Sequence, residues 1–101
     1  MKIKIGPLWY TVETVKDLKS ERGNGLFGEI DYTKQVIRLE EEMTPERTYA
    51  VLWHEALHAV DDECRLCLGE QGVGTLATII VQLLQDNPGL RYESRDEHPA
   101  G

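Results

Sequence analysis

Residues 44–63 read TPERTYAVLWHEALHAVDDE, and this stretch sets the reading of the rest of the chain. Thr44 carries a hydroxyl suited to accept from a backbone N–H at a helix start. Pro45 fits the first helical position, and Glu46 places negative charge on the positive end of the helix dipole. Tyr49, Leu52, Trp53, Ala56 and Val60 then recur mostly at spacings of three and four, which predicts a helix with a buried stripe. Asp61-Asp62-Glu63 opposes the negative end of the dipole, so the helix is expected to end near these residues. In its middle, His54-Glu55-Ala56-Leu57-His58 is an HExxH pattern. Residues four apart lie one above the other on a helix face, so both imidazoles can reach one cation. Glu55 is turned about 100° from His54, near enough to hold a water beside that cation without becoming a ligand. Zinc suits such donors: it takes nitrogen ligands, leaves a position for water and lowers the water's pKa towards about 7. A plainer reading, two histidines on a solvated helix face, leaves the placement of the motif within the best-capped helix unexplained.

Working outward, residues 8–16 hold Trp9, Tyr10, Thr11, Val12, Thr14 and Val15, a β-branched and aromatic run that predicts a strand. Lys2 to Ile5 alternates and is read as an earlier strand or part of the same ribbon. Gly23-Asn24-Gly25 marks a loop. Residues 26–31 and 35–41 are then two strands joined through Tyr32-Thr33-Lys34, with Ile37 and Leu39 on the face expected to meet the core. Trp9, Tyr10 and Trp53 are expected to be core residues. After the motif helix, a second helix is predicted from Glu70 to Asp86. Its apolar face is Val73, Leu76, Ala77, Ile80, Val81 and Leu84, and Asn87-Pro88-Gly89 stops it. The expected fold class is α+β: a small antiparallel sheet of three to four strands packed against the motif helix and a second, C-terminal helix. One domain is expected over residues 1–90, followed by a polar tail over 91–101 that is disordered or folds back on the site.

The totals narrow the function. The chain has 101 residues, 41% of them hydrophobic, enough for one core. Its formal net charge of −7, with the acids scattered, argues against nucleic acid and against an anionic membrane surface, both of which need clustered Lys and Arg. Gly6 and Pro7 interrupt the start before it reaches signal-peptide length, and Leu76 to Leu84 is too short to span a bilayer. A cytoplasmic protein is therefore expected, with Cys64 and Cys67 as reduced thiols. A lone CxxC is half of a structural zinc site, and no second pair completes it.

Two histidines need a third protein ligand to make a catalytic zinc site. Residue spacing leaves five candidates: Glu70 at the start of the second helix, Asp61 one turn beyond His58, Cys64, Cys67, and His98 in the tail. Residues 26–88 resemble the minimal gluzincin-type metallopeptidases of phages and mobile elements, relatives of the ImmA/IrrE-like group. The matching features are Gly28-Glu29-Ile30-Asp31-Tyr32 with Gln35-Val36-Ile37-Arg38-Leu39, the motif His54 to His58, then Glu70, Val73, Leu76 and Ala77, and finally Asn87-Pro88. The resemblance implies a zincin-like fold with one zinc ion held by His54, His58 and Glu70. Larger relatives carry an acidic residue four positions after the glutamate ligand to orient an imidazole; here that residue is Gly74, which leaves either Asp61 or Asp62 as a stand-in or a weaker site than in those relatives.

The expected function is a zinc-dependent metallopeptidase that hydrolyses peptide bonds with Glu55 as general base. Its partner is a peptide or protein substrate, which the resemblance implies lies along an edge strand, here from the 26–41 hairpin. The alternative is a non-catalytic zinc-binding module that recognises a partner. Tyr10, Tyr32 and Tyr92 are the tyrosines available to stabilise an oxyanion.

Overall fold

The computed structural model describes residues 1–90, and it is an α+β fold. Four strands, β1 (Lys2–Ile5), β2 (Leu8–Val15), β3 (Gly28–Asp31) and β4 (Val36–Glu40), precede two helices, α1 (Pro45–Cys64) and α2 (Gly69–Asp86). Gly6 at φ 57° opens the two-residue turn that pairs Ile5 with Leu8 and sets the β1–β2 register. At the β3–β4 turn, Asp31 Oδ1 accepts from Lys34 N at 2.9 Å and Gln35 adopts φ 56°.

The sheet is mixed, where an antiparallel one was expected. Its order is β1-β2-β4-β3, and β2 pairs with β4 in parallel. Segment 16–27 is the cause: too long for a hairpin turn, it carries the chain past the neighbouring position to the far edge. β3 forms there, and β4 returns into the gap. The segment is pinned by buried Leu18, whose N–H donates to Glu40 Oε1 at 2.8 Å, and by Glu40 N donating to Phe27 O.

Strand alternation places Tyr10, Ile37 and Leu39 against α1, where they bury with Ile5 and Ala59. The same alternation corrects one expectation. With Tyr10 inward, Trp9 faces the other way and is 56% exposed, its ring 5.8 Å from Lys4 Nζ. On that outer face Arg38 sits opposite Glu13 of β2 and Glu29 of β3, and bonds to them at 3.3 and 2.9 Å.

The predicted start of α1 is present: Thr44 Oγ1 accepts from Arg47 N at 3.1 Å and Pro45 opens the helix. The sheet takes one side of α1. On the other, Leu57 packs on Val73 and Ala77 of α2, joined by half-buried Trp53, Leu68 and Ile80. Val73, Ala77 and Val81, four apart, bury the inner face of α2. Leu76, expected there, lies outside that line and is 40% exposed. No helix among the described residues is long and apolar enough to cross a membrane.

Candidate metal centre

α1 presents His54 and His58 one turn apart, with ring centroids 4.9 Å apart and planes at 67°. Their Nε2 atoms face each other at 3.2 Å. What meets them depends on the α1–α2 junction. Arg65 ends α1 in the left-handed region at φ 54°, and Cys67 and Gly69 follow at φ 60° and 72°, so the chain reverses within a few residues. Asp61 Oδ1 accepts from Leu68 N at 3.0 Å and ties the reversal to the end of α1. α2 therefore returns antiparallel to α1, and its first-turn Glu70 stands across from the imidazoles. Glu70 Oε1 is 2.7 Å from His54 Nε2, and Oε2 is 2.8 Å from His58 Nε2.

Two nitrogens and two carboxylate oxygens thus converge, and all three residues form a group able to hold a metal ion. Three features of the group fit a cation. If both imidazoles donated to Glu70, two N–H donors would be crowded 3.2 Å apart, whereas a cation accepts all the lone pairs at once. Tetrahedral zinc with Zn–N near 2.05 Å separates neighbouring donors by about 3.3 Å, close to the spacing of the two Nε2 atoms. Glu70 is also 74% exposed at its side chain, and an exposed ion pair contributes only about 0–1 kcal/mol, a weak reason to gather these groups. Burial would raise the Glu70 carboxyl, but the hydrogen bond with His54 and the charges of both imidazoles outweigh it and hold the carboxyl below its ordinary value.

Glu55 is the buried charged residue of the described chain, at 9% exposure. It faces β3, where Gly28 makes room: a Cβ there would lie 2.6 Å from Val51 Cγ1 and 3.3 Å from Glu55 Cγ. Burial pushes its carboxyl above the ordinary carboxylate value. His54 and His58 pull it down, while Glu70 and Glu29 push it up. A cleft of about 340 Å³ opens from His54 and Glu55 along α1, walled by Gly28, Val51, Gly74 and Ala77.

The other ligand candidates stand apart from this group. Asp61 is engaged with Leu68 N, and Cys64 and Cys67 are free, exposed thiols at the helix junction. His98 and Tyr92 lie outside the described residues. Gly74 packs beside His54: a Cβ there would meet Cε1 at 3.7 Å. Tyr10 is buried in the core, whereas the Tyr32 hydroxyl reaches His58 O at 3.5 Å. Burial, then the carboxylates of Asp62 and Glu55, raise the Tyr32 phenol, so it stays a donor at neutral pH. Sequence reasoning missed Arg47 and Phe27, which complete the cleft wall. Arg47 was detectable, since seven residues before His54 is two helical turns on the same face.

Comparison with protein-family models, curated proteins and solved structures finds no match to this chain.

Proposed function

We propose that this chain is a zinc-dependent metallopeptidase in which His54, His58 and Glu70 hold one zinc ion and Glu55 is the general base. One observation carries the reading: a buried carboxylate lies beside a convergent His–His–Glu group and shares a cleft with it. Zinc, when bound, supplies Lewis-acid polarisation of water and of a substrate carbonyl. Glu55 takes a proton from the attacking water on its carboxylate oxygen. It then gives that proton to the amine nitrogen as the C–N bond breaks. Burial serves both halves of this exchange, because a carboxyl raised towards neutrality is a stronger base and still returns the proton readily. Among the described residues β3 is an edge strand, and its outer side offers backbone groups along which an extended peptide can lie. Of the candidate tyrosines we choose Tyr32 as the donor to the developing oxyanion, because its hydroxyl lies at the backbone of the ligand His58.

Glu55→Gln tests the base. The variant is expected to keep one zinc per chain by elemental analysis and to lose about 10²–10⁴-fold in hydrolysis of a peptide library. Glu70→Ala is expected to lose zinc instead. Zinc-replete wild type that cleaves no peptide would favour the non-catalytic module, and unchanged zinc affinity in Glu70→Ala would remove that ligand.

A further inference from the structure

We propose that Arg47 selects the substrate by binding a carboxylate on the leaving, C-terminal segment, within about three residues of the bond that is cut. This rests on the peptidase reading, because Glu55 protonates the leaving amine and so fixes which product lies beside it. Glu55 lines the cleft that runs towards the N-terminus of α1, and Arg47 lines the same cleft. The leaving segment therefore extends from Glu55 towards Arg47. Seven residues of helix place Arg47 about 10 Å from His54 along the axis, which an extended chain covers in about three residues.

Three observations mark Arg47 as more than a solvated side chain. It sits in the first turn of α1, where the helix dipole disfavours a cation and favours a bound anion. Its guanidinium carbon lies 5.2 Å from the centre of the Phe27 ring, and that ring is 59% exposed at the mouth of the cleft. A cation–π contact occupies no carboxylate or carbonyl acceptor, so the guanidinium N–H donors remain for a bidentate one. Finally, the wall between Arg47 and Glu55 is small and apolar, formed by Ala50 and Val51 with Ala77 opposite. An acid at the far end thus meets the one charge that this part of the wall provides. The carboxylate has two sources, an Asp or Glu side chain or the C-terminus of a short peptide.

The test uses the zinc-replete full chain and peptide hydroxamates, whose chelating group replaces the scissile carbonyl and seats three following residues in the cleft. One pair ends Leu-Ala-Glu and Leu-Ala-Gln, both amidated; a second ends Leu-Ala-Ala with a free or an amidated terminus. Binding is read by calorimetry, independently of turnover. In at least one pair the carboxylate probe is expected to bind about tenfold tighter than its neutral twin, and the pair that discriminates identifies the source. Arg47→Gln should abolish the difference and Arg47→Lys should keep part of it. Thr44 caps the backbone of residue 47, so both variants retain that bond. Equal binding of the twins by wild type overturns the proposal, as does a difference that survives in Arg47→Gln or a failure of every probe to bind. Discrimination without hydrolysis would instead remove the peptidase reading and leave a carboxylate site; hydrolysis without discrimination would do the reverse.

Discussion

At Gly28 the distance between β3 and α1 is set by one missing carbon. A methyl group there must displace Val51 and press on Glu55, and overpacking of this kind costs about 1–3 kcal/mol. Gly28→Ala is therefore expected to lower the thermal midpoint by roughly 4–20 °C for a domain of this size. Adding Val51→Ala should restore part of the loss by removing the nearest obstacle, which a pair of melting curves would check. An unaltered midpoint in Gly28→Ala would mean that the strand and helix stand further apart than described. Single residues also show how far the sequence can be read. His54, Glu55 and His58 declare themselves by spacing, because helix periodicity is local. Spacing alone left Glu70 among five candidates and only the family resemblance singled it out, since its position beside the histidines depends on left-handed backbone at Arg65, Cys67 and Gly69. Arg47 and Phe27 meet across elements, and no local pattern couples them.

Elements join through a few polar ties, and Glu40 at the end of β4 is the clearest. Its carboxylate accepts from Glu42 N at 2.9 Å and from Leu18 N at 2.8 Å, anchoring the segment that makes the sheet mixed. The bond from Glu42 and then that from Leu18 hold the carboxyl below its ordinary value of 4.5, against a small opposing effect of burial. Because the folded value is depressed, the stabilisation is complete above the unfolded carboxylate range. It is lost as pH falls through the folded value. Glu40→Gln is thus expected to be less stable than wild type in urea at pH 7, with the gap closing as the pH falls through the range in which the folded carboxyl is protonated. A gap independent of pH would show that the charge is not what ties the segment down. Alternation in 35–41 and the Thr44-Pro45 start made β4 and α1 readable, yet nothing periodic says which strand lies beside which. Strand order is decided by what segment 16–27 spans and by the match of Arg38 to glutamates on both sides. Trp9 was misplaced because β-propensity says that a residue suits a strand, not which face it takes.

For the molecule as a whole, α2 packs on α1 and not on the sheet, through a core of Leu57, Val73 and Ala77. A cation bridging His54, His58 and Glu70 would fasten the two helices at the hairpin end. At a hundredfold excess over the dissociation constant, zinc adds about 2.7 kcal/mol, which corresponds to a rise of roughly 10–20 °C in midpoint. A chelator should reverse the rise, and amides of α2 should lose more hydrogen-exchange protection than those of β4. A melting curve indifferent to zinc would count against the metal centre itself.

The parallel pairing of β2 with β4 also shapes how the chain is made. During synthesis β1 and β2 emerge first, as a two-stranded ribbon with one apolar face bare, and such a ribbon is marginal in water. Its missing neighbour arrives only after the long segment and β3 have left the ribosome. Until then the exposed edge of β2 is open to any other extended chain, so the interval before residue 40 appears is when this protein is most exposed to mispairing and aggregation.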